Sequence, residues 1–137
     1  MKLTAFIDGA ARGNPGKSGI GIIIYDDQGR CHAEHHEFLG NATNNVAEYS
    51  ALITCLKIVT ERFALCSALH VHSDSELLVR QVNGLYKVRD KKLQQYHGEV
   101  RRMLGNTSFK FSISHIPREQ NAEADSLANR GIDEHQV

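Results

Sequence analysis

The hydrophobic period of this chain changes once, sharply, and that change limits the folds open to it. Up to Leu39 apolar residues alternate with period two; from Thr43 they recur at helical spacing. Lys2 to Asp8 sets Leu3, Ala5 and Ile7 on one face and Thr4, Phe6 and Asp8 on the other, the pattern of a strand that ends on a carboxylate. Gly9 to Gly19 reads as a glycine-rich turn around Asn14-Pro15-Gly16, and Ile20 to Tyr25 as a second strand. Asp26-Asp27-Gln28-Gly29 reads as a hairpin turn, and Cys31 to Leu39 as a third strand. The chain therefore opens as an antiparallel meander.

Past residue 43 the logic is different. Val46, Tyr49, Ile53 and Leu56 mark a helix that Thr43 or Asn44 can cap. Leu69, Val71 and Ser73 alternate with His70, His72 and Asp74 in a fourth strand. Ser75 to Val82 is a short helix ended by Asn83-Gly84, and a longer one from about Asp90 carries Leu93, Tyr96, Val100 and Met103 as a stripe. Phe109, Phe111 and Ile113 mark a fifth strand, and Asn121 to about Gly131 a last helix. The order βββαβααβα predicts an α/β fold. Its five-stranded mixed sheet has three antiparallel strands followed by two parallel to strand one, because helical crossovers join parallel strands. The 137 residues are expected to form one domain over 1–137, with a polar tail from about 132. With Met1 at one end and that tail at the other, a complete small protein is the expectation.

Charge and cysteine usage narrow the setting. Sixteen basic and sixteen acidic side chains cancel, which argues against binding a polyanion by bulk charge. The distribution is uneven: Arg80 to Arg102 holds seven basic and two acidic residues, a local +5 that suits either a solvated helix face or phosphate contacts. Cys31, Cys55 and Cys66 are odd in number and widely spaced, as reduced thiols are. No apolar run approaches a membrane span and no signal peptide precedes the first strand. A cytoplasmic monomer with no membrane partner is expected.

Two strands end alike, in Ile7-Asp8-Gly9 and Ser73-Asp74-Ser75. If they pair in parallel, Asp8 and Asp74 meet about 5 Å apart at the carboxyl edge of the sheet, where open α/β sheets hold ligands. Glu48 lies in the first turns of the helix at Thr43, and Asp125 in the last helix, so four acids could crowd one site. Such anions repel unless a hard cation sits among them. Taken singly, Asp8 and Asp74 could equally be strand-end turn residues.

Two runs decide between these. Asp8-Gly9-Ala10-Ala11-Arg12-Gly13-Asn14-Pro15-Gly16 and Thr43-Asn44-Asn45-Val46-Ala47-Glu48 resemble the opening motifs of type 1 ribonuclease H, and Asp74-Ser75 and His115 through Asn121 to Asp125 its remaining ones. The resemblance covers nearly the whole chain. It implies the ribonuclease H-like fold and an endonuclease that cuts the RNA strand of an RNA–DNA hybrid, leaving 5′-phosphate and 3′-hydroxyl ends. Two Mg²⁺ ions, with Mn²⁺ as the alternative, would be held by Asp8 bridging both, Glu48 and Asp74 on one side and Asp125 on the other.

The same resemblance assigns Asn14, Asn44, Asn45 and Glu76 to the groove and sugars, and Thr43 to a DNA phosphate. It gives His115 a part in proton transfer or product departure; Gly9, Gly13 and Gly16 read first as a requirement of the turn and second as a close backbone approach to nucleic acid. The asparagines suit turn and cap roles as well. Many relatives insert a basic, tryptophan-containing handle between the third and fourth acids. Here Gly84 to Asp90 is short and the chain has no tryptophan, so Lys87, Lys91 and Lys92 are its reduced substitute. Double-stranded RNA is a second substrate that the missing handle brings in. Two other functions use the same fold: a non-catalytic nucleic-acid-binding module, and a phosphodiesterase acting on DNA.

Overall fold

In the computed structural model, which describes residues 1–135, the meander is longer than its alternation suggests. Strands β1 (Lys2–Gly13), β2 (Gly16–Asp26) and β3 (Cys31–Ala42) are followed by α1 (Asn44–Arg62), β4 (Ala68–Ser73), α2 (Glu76–Val82) and α3 (Lys91–Gly105). Strand β5 (Lys110–His115), a 3-10 turn (Arg118–Gln120) and α4 (Ala122–His135) complete the order. The sheet runs β3-β2-β1-β4-β5, antiparallel across the meander and parallel from β1 through β4 to β5, as expected.

Two expectations about extent are corrected. Gly9 to Gly19 is not an extended turn: Gly9 pairs with Ile20, Ala10 with Gly19 and Arg12 with Lys17, so the strands continue to Gly13 and resume at Gly16. Pairing satisfies backbone groups that a long loop would leave to solvent, and only Asn14-Pro15 is needed to reverse the chain. The last helix also passes Gly131 and reaches His135. Gly131 is a contact rather than a stop, since a Cβ there would lie 2.6 Å from the carbonyl oxygen of Glu37. Ile132, assigned to the polar tail, is fully buried. Glu134 accepts from His36 at 2.6 Å and His135 stacks on Phe38, tying the helix end to β3. The remainder of that tail, Gln136 and Val137, lies outside the described residues.

The main core lies on one face of the sheet. Ile7, Ile22, Ile24, Leu69 and Val71 pack there with Leu52, Leu56 and Val59 of α1 and with Leu93 and Val100 of α3. The opposite face is covered over β1–β3 by α4, which buries Ala124, Leu127, Ala128 and Ile132. Contact there is backbone to backbone. A Cβ on Gly21 would stand 2.2 Å from the Ala124 carbonyl oxygen and 2.6 Å from the Ala128 nitrogen. Gly21, with Gly19 two residues earlier in β2, is thus what lets α4 lie flat on the sheet.

Turn and cap chemistry set the remaining boundaries. Asp26 accepts from the backbone N–H groups of Gln28 and Arg30 at 2.9 and 3.0 Å, and its other oxygen meets His32 at 2.8 Å. These bonds hold its carboxyl well below the usual carboxylate range. Thr43, Ser75 and Asp90 each accept from the backbone N–H three residues on and so start α1, α2 and α3.

Two glycines give opposite predictions. Gly21→Ala must push α4 away and is expected to lower stability by about 3 kcal/mol. Gly98 lies within α3 where a Cβ would meet nothing within 4 Å, so Gly98→Ala is expected to raise stability by about 0.8 kcal/mol. Urea unfolding of both variants measures this; equal effects would contradict the packing described.

Candidate metal centre

The acids gather partway along β1, where its parallel ladder with β4 ends. Ile7 pairs with Ser73 in parallel register and that ladder ends there, so Asp8, still paired with Gly21 on its other side, stands beside Asp74, the first residue past β4. Glu48 comes from α1, and the approach depends on Gly9. A Cβ at that position would lie 2.2 Å from the Ala47 carbonyl carbon and 2.4 Å from the Glu48 nitrogen. With hydrogen there instead, the Gly9 N–H donates to Glu48 Oε1 at 2.6 Å. One oxygen from each of Asp8, Glu48 and Asp74 lies within 4.8 Å of the others. Asp125, in the first turn of α4, stands against Asp8, and all four line one cleft of about 470 Å³.

Electrostatics follow from that crowding. Asp8 and Glu48 are each 4% exposed. Burial raises the pKa of Asp8 well above its ordinary 3.8, and the charges of Glu48 and Asp74 raise it further. Burial also raises Glu48, with the Gly9 N–H pulling the other way. Asp8 and Glu48, in a partly dry cleft beside two further acids, therefore resist full ionisation without a cation. The trio offers only oxygen donors, a set that fits hard divalent ions such as Mg²⁺ or Mn²⁺.

The other residues singled out by sequence divide into two groups. Asn44 lines the cleft, and its backbone N–H donates to Asn14 Oδ1 at 3.0 Å, which joins the hairpin tip to the start of α1. Thr43 caps that helix, and Asn45 is half-buried in its first turn. The second group is not brought into the cleft. Glu76 is exposed at the start of α2 and accepts from Arg80 Nε at 2.8 Å. His115 is exposed at the end of β5, beside Ser73 in register. Lys87, Lys91 and Lys92 are exposed on the α2–α3 connection and the start of α3.

The cleft also holds residues that the sequence does not single out for a role: Arg12, Ser75, Arg118 and Asn129. Arg12 donates to Asp133 at 2.6 Å and to Asn129 at 3.1 Å, linking the hairpin to α4. The available signal was position, because Arg12, Ser75 and Arg118 sit inside the motifs that carry the acids. Asn129 had only its helical spacing, four residues after Asp125.

A mixed sheet whose parallel strands set two aspartates side by side, with two helices adding further acids, defines a carboxylate centre of the ribonuclease H-like fold that could hold a metal ion. Comparison with known proteins narrows the class. Residues 6–131 match the family described as reverse transcriptase-like. The chain is 37% identical to ribonuclease HI of Halobacterium salinarum, an alignment covering 97% of this chain and 65% of that protein. It is 36% identical to a bifunctional protein of Mycobacterium tuberculosis, covering 97% of this chain and 36% of that one. The chain thus spans less than two thirds of the length of these relatives.

Among solved structures, it matches an RNase H1 in complex with RNA/DNA hybrid at a TM-score of 0.94 and 38% identity, covering 98% of this chain and 99% of the other; that protein was isolated from compost. The RNase H domain of the mycobacterial protein gives 0.89 and 33%, covering 97% of this chain and all of the other. The chain belongs to the type 1 ribonuclease H family.

The raised acids make stability pH-dependent. Both have folded pKa values above their unfolded ones, so folding takes up protons and metal-free stability should fall as pH rises above about 4. Asp8→Asn removes one anion and is expected to raise the metal-free Tm at about pH 8 by several degrees, and far less at about pH 4. Thermal unfolding in chelator measures both. An asparagine variant less stable than the parent at every pH would overturn the repulsion argument.

Proposed function

We propose that this protein is an endonuclease that hydrolyses the RNA strand of RNA–DNA hybrids, leaving 5′-phosphate and 3′-hydroxyl ends. One observation carries the reading: Asp8, Glu48 and Asp74 are gathered within 4.8 Å, with Asp125 in the same cleft. Asp8 would hold both of two divalent ions, Glu48 and Asp74 would complete one site and Asp125 the other. Mg²⁺ is the proposed ion and Mn²⁺ its substitute. When bound, such ions make water a nucleophile at neutral pH and stabilise the departing 3′ oxygen. The hybrid-bound relative supports the substrate class.

The protein's own groups supply placement. Gly9 N–H fixes the Glu48 carboxylate, and the Asn14–Asn44 contact presents amides at the cleft rim. An amide can both donate to and accept from a 2′-hydroxyl, the group that separates RNA from DNA. Asn45 would add a second reader from α1, and Thr43 a phosphate contact at the helix start, where N–H groups favour anions. Arg12 and Arg118 set positive charge beside the acids, suited to the scissile strand's phosphates. Glu76 is assigned to the groove and its sugars. His115, exposed beside the site strand, is assigned to proton transfer as product leaves. Lys87, Lys91 and Lys92 are assigned to phosphates away from the cleft. A cytoplasmic monomer completes the proposal, and free Cys55 and Cys66, both buried, suit a reducing compartment.

A substrate panel tests this. Hybrid should be cut with Mg²⁺ or Mn²⁺, all-DNA duplex should be inert, and duplex RNA should be cut more slowly. Equal cutting of DNA duplex would overturn the hybrid reading, and no cutting at all would favour a binding module. Asp8→Asn should abolish cleavage while the fold persists.

Salt separates the lysines from the acids. Each phosphate contact contributes about 0.9 to the slope of log affinity against log salt. Lys91→Ala with Lys92→Ala should flatten the slope by up to about 1.8 and raise KM, leaving kcat little changed. Unaltered binding at all salt concentrations would reduce this block to a solvated helix start.

A further inference from the structure

Asn121 lies between the acids without being one of them. It is 1% exposed, at the junction of the 3-10 turn and α4. Its Nδ2 donates to the carbonyl oxygen of Ile7 at 2.8 Å and to Asp74 Oδ2 at 3.3 Å. Both neighbours only accept, so the nitrogen of the amide must be the atom that faces them. Its own Oδ1 is buried with no hydrogen-bond partner. A free choice of side chain would avoid that cost, so the position favours what the two N–H groups do.

They join two carriers of the site, and the residue's backbone meets a third. Ile7 immediately precedes Asp8, and its carbonyl stands where the β1–β4 ladder ends at the Ile7–Ser73 pair. Asp74 is the first residue past β4. Asp125, four residues after Asn121, donates its backbone N–H to the Asn121 carbonyl. The side-chain amide therefore ties β1 at Ile7 to the Asp74 carboxylate, while the backbone of the same residue leads into the first turn of α4. We infer that Asn121 is a positioning residue for the metal centre: it aims Asp74 at the space shared with Asp8 and Glu48, and thereby sets how tightly divalent ions are held. This rests on the metal-dependent reading above. Partners that orient a ligating side chain have such effects in metal sites generally, about tenfold or more in affinity.

The test uses the full chain and Mn²⁺ alone, titrated by calorimetry without nucleic acid, beside steady-state cleavage. Asn121→Ala should weaken Mn²⁺ binding by about tenfold and lower kcat, with KM for hybrid within about twofold. Asn121→Asp sets a carboxylate against the Ile7 carbonyl and Asp74, and should weaken Mn²⁺ binding more than alanine does. In an Asp74→Asn background, Asn121→Ala should add little further loss, because its partner is already altered. A lowered Tm with unchanged Mn²⁺ affinity in both single variants would make Asn121 structural and overturn the inference. So would full additivity with Asp74→Asn. If alanine does not fold, Asn121→Ser carries the same measurement, and failure of all three to fold would assign the residue to folding instead. A parent protein that binds Mn²⁺ but cuts no hybrid would defeat the ribonuclease reading while leaving this titration valid.

Discussion

The rest of the site hangs on the contact at Gly9, where a strand and a helix approach more closely than any side chain allows. The approach brings Glu48 to the mouth of β1, and the Gly9 N–H holds it there. Without it α1 would have to ride higher on the sheet, and the buried layer of Ile7, Leu52 and Leu56 would lose its fit. Gly21 serves the same purpose on the other face for α4. Gly9 on one face and Gly19 with Gly21 on the other bring two helices down onto the sheet, and each helix carries an acid. The metal centre is therefore a product of packing as much as of charge.

That packing concentrates a force that opposes folding. Burying Asp8 and Glu48 beside Asp74 raises both of their pKa values, so the apoprotein holds like charges together only because the surrounding structure is well determined. The Asp26 turn is the opposite case: a carboxylate surrounded by donors, ionised readily and stabilising the hairpin that carries it. One side chain type thus both stabilises and strains this fold, according to whether donors or other carboxylates surround it.

Much of this was legible in the sequence because local chemistry and the global fold agree. The alternation up to Leu39, the cap at Thr43 and the matching Asp8 and Asp74 were enough to place those two acids side by side, although β1 runs on past Asp8 to Gly13. The extent of the elements was less legible. Gly9, Gly19 and Gly131 look like turn and stop signals along the chain, yet each faces backbone from a distant element. Glycine's local meaning and its packing meaning cannot be separated without the partner that approaches it. Asn121 and Arg12 were obscured for a similar reason. Their partners, Ile7 and Asp133, lie 114 and 121 residues away, and no periodicity reports a bond of that span.

Those spans also bear on when the protein becomes competent. Synthesis is vectorial, and the first acid emerges with β1 whereas the fourth emerges with α4. The meander and α1 can assemble while later residues are still being added. Until α4 arrives, β2 keeps an uncovered stripe around Gly21, the Ile7 carbonyl lacks its amide, and Asp8 lacks its neighbour from the last helix. A nascent chain on the ribosome, surrounded by RNA, therefore carries three of its four acids without the element that completes the set. Carrying Asp125 on α4 makes the docking of that helix and the gathering of the fourth acid one event.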